Sequence, residues 1–485
     1  MKRRILLISM LLAAVMASNV TAQTNQVLYY MNLPQRNTLN PALQATGRVY
    51  VGLPGISDLS FSIDNNFLSF TDIFRNGVVS DSTMTFLEPG EDLDKFVAGL
   101  REKNSLEPRA GIQLFGLGFT VGKDLRITFD ITERIDGNFV FPKDLIKLGI
   151  EGNQGYSGDD IDLSSLRADM KYYHEIGIGA SKNITDKLRI GGRLMILGGV
   201  VAGYFDNNGL SLKVNNDYTQ TINADLAFNV SGPFRFFTHE GIIDSAAFDE
   251  KRFDDANSSI SYIAGMGNAG LGIDLGAEYR FNEMFAASAA LTDLGFIKWK
   301  RDRSEIRINR QFELNGLTLQ DVYDEDVSFE DLMNWTIDSL KNAMDLTANP
   351  EPFTTYLPFG VTAGFSFNPV QFFTAGVLSQ TRFSGGKVHE SFTLSGNVNF
   401  GNTFSGTLAY TVANHRFDNL GFGIAVRGGF AQFYVLVDNI PMKWTSATNG
   451  ENSFRLPDNW YTVHARIGLN LVFGNRENER PLPPM

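Results

Sequence analysis

Few of the residues able to make or break bonds stand where they could cooperate. The chain has no cysteine, which removes thiol catalysis, disulfide scaffolds, cysteine-ligated zinc and iron–sulfur sites. Its five histidines, at 174, 239, 389, 415 and 464, are scattered, and none pair at metal-ligand spacing. There is no Gly-x-Ser-x-Gly elbow and no phosphate-binding glycine loop. Ser384-Gly385-Gly386-Lys387 fits Ser-x-x-Lys, but in a glycine-rich turn, where a chance match is the plainer reading. Asp321, Asp324, Glu325, Asp326, Glu330 and Asp331 are rich in oxygen, yet their spacing fits no calcium loop and reads as a solvated face. The expectation is a non-enzyme with no cofactor and no metal. What remains is a set of charges of both signs: Arg126, Asp130, Arg189, Arg193, Asp274, Glu278, Arg280, Arg427, His464 and Arg466. Their chemistry is ion pairing and the hydration of a polar interior.

Each of these charges lies on the polar side of an alternating segment. In 461–473, Tyr461, Val463, Ala465, Ile467, Leu469, Leu471 and Phe473 share one face; Thr462, His464, Arg466, Gly468, Asn470 and Val472 share the other. This period of two marks a strand with one buried and one wet face. The same pattern runs through 124–132, 187–196, 271–281, 389–400 and 403–411. Strands of about 9–12 residues match a tilted membrane crossing. Tight turns at Gly122-Lys123, Thr185-Asp186, Asn282-Glu283, Asn368-Pro369, Gly401-Asn402 and Gly428-Gly429 alternate with excursions near 64–108, 133–170, 200–260, 296–352 and 439–459. Short turns at one end and long loops at the other are the pattern of outer-membrane barrels. A soluble sandwich also alternates, but it does not demand this asymmetry.

The fold class expected is therefore all-β: a transmembrane antiparallel β-barrel of about 14 strands, with long extracellular loops. Sixteen strand starts are visible, at 48, 59, 111, 124, 171, 187, 222, 269, 283, 354, 370, 389, 402, 420, 431 and 461, and two of them are expected to be plug or loop segments. Aromatics at strand ends (Phe367, Phe400, Phe404, Trp460, Tyr461) suit interfacial girdles. Asp293 to Trp299 echoes Asp438 to Trp444, each placing Lys-Trp five residues after an Asp. Trp299 and Trp444 are accordingly expected as interface anchors. Helices are expected over 91–102 and 329–344.

Residues 1–22 read as a secretory signal: Lys2, Arg3 and Arg4, an apolar run from Ile5 to Met16, and small residues before Gln23. The longest other apolar run, Leu194–Ala202, is too short for a spanning helix. The formal charge of -12 becomes -15 without residues 1–22. That balance argues against nucleic acid as a partner. The expected organisation is 1–22 signal, 23–45 N-terminal plug, 46–473 barrel and 474–485 disordered tail, in the outer membrane and in contact with its lipid.

Leu28-Tyr29-Tyr30-Met31, then Thr38-Leu39-Asn40-Pro41-Ala42-Leu43 and a first strand from Arg48, resemble the plug-to-barrel entry of the FadL-type transporter superfamily. The order is also similar to the barrel subunits of the Bacteroidota type IX secretion apparatus, and to a Bacteroidota outer-membrane barrel family of unassigned function that shares the Asp-Leu-Gly-Phe-Ile-Lys-Trp segment at 293–299. The resemblance implies a 14-stranded barrel with Asn40, Pro41 and Ala42 in its plug. It implies a plugged transporter or channel for hydrophobic or amphipathic solutes, or else a scaffold for a secretion-system or surface protein. It leaves the cargo open. Arg189 and Arg193 are expected to contact the plug; on that expectation, replacing both with Ala raises conductance across a planar bilayer.

Overall fold

The computed structural model describes residues 25–45, 47–68, 96–151, 156, 158–216, 219–239, 242–314, 345–348, 350–413, 416–449, 452–457 and 461–475. The signal, the acidic group at 321–331 and the helix expected at 329–344 lie outside the described residues. Of the helix expected at 91–102, residues 96–102 are described; 96–99 are helical and 100–102 are not.

Fourteen antiparallel strands close on themselves. They are β1 (Gly47–Gly52 and Leu59–Asn65, one interrupted strand), β2 (Lys103–Val121), β3 (Leu125–Pro142), β4 (Arg167–Asn183), β5 (Leu188–Val214), β6 (Ala269–Arg280) and β7 (Phe285–Trp299). The circuit continues with β8 (Phe359–Val370), β9 (Phe373–Ser384), β10 (Lys387–Phe400), β11 (Phe404–Ala413), β12 (Arg416–Gly428), β13 (Ala431–Pro441) and β14 (Thr462–Asn475). Each strand pairs with the next, and β14 pairs back onto both halves of β1 (Val49 opposite Phe473, Phe61 opposite Ala465). Closure leaves no edge strand, as a bilayer requires. The starts at 48 and 59 are thus one strand. The segment from 222 (Gln220–Ser231) lies outside the ring: it pairs with the distal part of β5 and with Arg303–Leu314 beyond the rim. The last strand runs to Asn475, two residues past the expected end.

The outer face is apolar and the inner face polar. Leu194, Leu394 and Leu408 are 50–60% exposed, while Arg193, Thr393 and Thr407 beside them are buried. Exposed hydrophobic side chains all round a closed sheet, alternating with buried polar ones, are the signature of a wall meant for lipid. At the short-turn end, outward rings pair up: Phe372 with Phe400 at 5.6 Å and Phe430 with Phe473 at 6.0 Å between centroids. They form the aromatic girdle on that side. The turn glycines Gly401 and Gly429 there have φ of 58° and 61°, which side-chain-bearing residues rarely adopt.

The wall is uneven in height. β2 to β5 are 19, 18, 17 and 27 residues long, whereas β8 to β14 are 10–14. A membrane crossing needs only about 9–11 residues, so the strands of the first group are much longer than a crossing requires. Where β5 leaves β6 to pair with Gln220–Ser231, Asn268 holds the fork. Its Nδ2 donates to Gly199 O and Ser231 Oγ, and its Oδ1 accepts from Lys300 N and Arg301 N, both at 2.8 Å.

A closed sheet resists detergent because every backbone donor and acceptor of the wall is paired. The unboiled protein should therefore run at a different mobility in SDS gels from the boiled protein. Identical mobility would contradict the closed barrel.

Candidate functional site

The interior is built around residues 25–45. Two short 3-10 turns, Leu28–Tyr30 and Pro34–Thr38, shape this segment; Pro34 opens the second, where a missing N–H costs nothing. Asn40 Oδ1 accepts Ala42 N at 2.9 Å, a local turn that Pro41 stiffens. Val27, Leu28, Met31, Leu33 and Ala42 have no exposed surface. Contacts reach round the ring. Val27 N donates to Asp438 Oδ1 on β13 at 2.9 Å, Gln35 Nε2 to Asn470 Oδ1 on β14 at 2.7 Å, and Asn40 Nδ2 to Ala289 O on β7 at 3.3 Å. Tyr30 Oη donates to the carbonyls of Phe365 and Val377 on β8 and β9, and Gln44 bonds Ser181 on β4. Partners on so many strands place the segment inside the barrel.

Glycines let it approach. A Cβ at Gly276 would lie 2.0 Å from Asn40 Oδ1, and one at Gly191 2.4 Å from the Pro41 carbonyl carbon. Both distances are impossible for a side-chain-bearing residue, so these two strands accept the Asn40-Pro41-Ala42 turn only because they are bare there. These glycines form docking notches that the alternation alone does not reveal. Their clustering on the inward parity of adjacent strands was the available signal.

The charged residues fall into separate groups. Arg193 on β5 is buried and meets three carboxylates: Asp130 on β3 at 2.5 Å, Glu175 on β4, and Asp274 on β6 at 3.2 Å. Arg134 shares Glu175 at 2.8 Å. Asp274 Oδ1 also accepts Asp293 N at 2.6 Å. Glu175, Arg134 and Asp293 were absent from the expected set. The ion pairs of the Arg193 guanidinium go to the wall, while Arg193 shares a small cleft with Pro41, Leu43 and Gln44 and Pro41 packs on Gly191 between the two arginines. Arg189 likewise pairs with Asn183 Oδ1 at 2.8 Å and Glu278 at 3.4 Å. Arg280 sits 3.5 Å from Glu278 near the short-turn end. Arg126 donates to Gly47 O at 2.7 Å and lies over the Tyr50 ring. Arg427 is at the rim, donating to the carbonyls of Gly429 and Val472.

Arg466 on β14 clasps Asp58, in the inward loop that interrupts β1, through both carboxylate oxygens, and Tyr434 Oη donates to Asp58 Oδ1 at 2.9 Å. His464 Nδ1 lies 2.6 Å from Asp438, the carboxylate that also receives the N-terminal segment. Across the ring, β8 to β11 bear neutral polar groups instead, such as Thr393 bonded to Thr411 and Thr407 to Asn397.

Trp299 corrects the interface expectation. It has no exposed surface, packs with Tyr173, Met195, Leu197 and Leu357, and donates from Nε1 to Thr355 Oγ1 at 2.9 Å. The cause is a one-residue bulge at Asp293, whose φ is 58°. Before it the even-numbered residues face in; after it Ile297 and Trp299 do, because an extra residue exchanges the faces of the strand. Trp444, in contrast, is half-exposed at the base of the hairpin Trp444–Asn449.

The N-terminal segment divides the interior into cavities. One, of about 130 Å³, lies towards the short-turn end between Tyr30, Arg36, Arg189 and Glu278. Another, of about 100 Å³, lies on the far side between Leu39, Arg134, Asp293, Arg382 and Arg466. It adjoins a third, of about 530 Å³, at the long-loop mouth, with Arg109, Asp136, Leu357 and Pro358 shared between the two. Among the described residues no group of His, Asp or Glu could hold a metal ion. Removing one partner of a buried ion pair strands the other charge at a cost of about 3–5 kcal/mol. Arg193→Ala leaves three carboxylates together and should lower the SDS unfolding temperature strongly, whereas Arg427→Ala at the rim should leave it unchanged.

Among solved structures the chain is similar to the P. putida toluene transporter TodX (9% identity, 94% of this chain and 99% of that one, TM-score 0.39). It is also similar to a Pseudomonas aeruginosa FadL homologue (9% identity, 94% and 99%, TM-score 0.40) and to the CymD monoaromatic hydrocarbon channel (8% identity, 94% and 100%, TM-score 0.34). No curated protein sequence matches it. A family model described as "Family of unknown function (DUF5723)" matches residues 41–438, and the chain belongs to that family.

Proposed function

We propose that this protein is an outer-membrane β-barrel, delivered by the signal at 1–22, that works as a plugged channel or transporter. The observation that carries this reading is the seating of residues 25–45 across the lumen, with one cavity on the short-turn side and two on the mouth side. Residues 25–45 are the plug, Asn40, Pro41 and Ala42 its turn against β5 and β6. The outward apolar face contacts membrane lipid, the short turns face the periplasm and the tall wall faces outside. The inner face is hydrogen-bonding and charged nearly throughout, which favours an amphipathic over a purely hydrophobic solute. Passage requires the plug to shift, because a closed, filled barrel offers no through-route.

A second reading follows from the same interior. The Arg193 group ties four strands together through buried charges, and such a clamp suits a rigid scaffold whose long loops hold a surface or secretion-system protein. Under that reading solute flux is absent, and a protein partner co-purifies in stoichiometric amount from native membranes.

The lack of cysteine makes the plug easy to lock. A Cβ at Gly421 would lie 2.6 Å from Val27 Cγ2, close enough for a disulfide between cysteines at these two positions. The double variant Val27→Cys/Gly421→Cys, reconstituted in liposomes, should pass amphipathic solutes only after reduction, while the wild type passes them in both states. Equal flux before and after reduction would refute a moving plug. No flux in any state, with a bound partner, would favour the scaffold.

A further inference from the structure

The two mouth-side cavities differ in charge from the chain as a whole. The protein carries a net charge of -12, yet the larger cavity is lined by Arg109, Arg167, Lys171 and Lys387 against only Asp136 and Asp169. Arg382 joins from the deeper cavity. Asp136 is surrounded electrostatically by Lys171, Arg382, Arg109 and Arg134, while Asp293 and Glu107 also act on Arg382 and Asp169 on Lys171.

These cations are not equally engaged. Arg109 is neutralised by Asp64 at 3.2 Å and Glu107 at 2.6 Å, both behind the lining. Arg134 is held by Glu175. Lys171 Nζ reaches a backbone carbonyl, Tyr356 O, at 3.3 Å. Arg382 is inward-facing on β9, and its Nε is shut off from solvent with no hydrogen-bond partner. A guanidinium carries five donors in a fixed fork. A buried donor left unused is costly, and Arg382, which lines the deeper cavity, is offset electrostatically by Asp136, Asp293 and Glu107 with no ion pair among the described residues. Groups of this kind bind carboxylate or phosphate oxygens in pairs.

We propose that the mouth-side vestibule is a binding site for an oxyanion-bearing solute, a carboxylate or phosphate ester, held by Arg382 with Lys171 beside it. The apolar part of the lining, Leu357, Pro358, Phe359 and Phe383, packs against the uncharged part of the solute. The proposal stands on the cavity and its cations and does not depend on passage through the barrel.

Calorimetric titration of the purified full-length protein in neutral detergent tests it, with citrate as the carboxylate probe, glycerol 3-phosphate as the phosphate probe and glycerol as the uncharged control. At least one anion should bind saturably, more weakly as salt rises, and glycerol should not. Arg382→Gln should weaken binding about tenfold or more, the loss expected when a charge-assisted hydrogen bond disappears. Lys171→Gln should weaken it by a smaller factor, and Arg427→Gln, outside the cavity, should bind like the wild type. Heat-modifiability in SDS confirms that each variant is folded. Saturable binding to neither anion, or equal affinity in wild type, Arg382→Gln and Lys171→Gln, overturns the proposal. The preferred probe separates carboxylate from phosphate. Binding without flux in liposomes would sink the transport reading alone and leave the site standing.

Discussion

A ring of fourteen strands encloses more space than its own inward side chains can fill, and that space cannot be left as bare polar surface. This constraint organises the rest of the molecule. Water, ion pairs or another piece of chain must satisfy the inward groups. Here the chain supplies most of the filling itself. Residues 25–45 enter the lumen and spend their polar groups on the wall, as with Gln35 on Asn470 and Val27 N on Asp438. The wall answers with glycines where backbone must meet backbone, at Gly191 and Gly276.

The inner face is divided in its chemistry. β2 to β7 carry the ionised residues, gathered round Arg193 and Arg109, while β8 to β11 carry hydroxyls and amides. A charge buried in a wall is tolerable only when its partners are fixed, and antiparallel pairing fixes them: Asp274 lies directly opposite Arg193 across the β5–β6 ladder. Arg382 breaks this pattern. It stands on the neutral side, facing the charged side across the vestibule, where Asp136, Asp293 and Glu107 act on it electrostatically without forming an ion pair among the described residues.

Much of the fold was legible in the sequence because its main signal, period two, is imposed by strand geometry and survives in a lipid-facing wall. The polar parity of 187–196 and 461–473 identifies Arg193 and Arg466 as inward-facing from the sequence alone. Short turns were equally legible through Gly122, Gly401 and Gly429. What could not be read were departures from that period. The bulge at Asp293 turns Trp299 from the outer to the inner side, and nothing in the alternation announces one inserted residue. The break in β1 between Gly52 and Leu59 looked like two strands, because pairing to a common neighbour is a property of the closed ring. Ion-pair partners also escaped: parity assigns a face, but register decides that Arg193 meets Glu175.

The hydrogen bond between Val27 and Asp438 joins positions 411 residues apart, and this sets an order of events during assembly. The segment 25–45, made early, is among the last to find its place, since its docking surfaces come from strands as late as β13 and β14. Contacts so distant in sequence form late, after the entropy of the intervening loops has been lost. Until β13 and β14 arrive, the N-terminal segment is a guest without a room. Closing the ring and seating that segment are therefore a single step in time, and an assembly factor that released the barrel early would leave it open and empty.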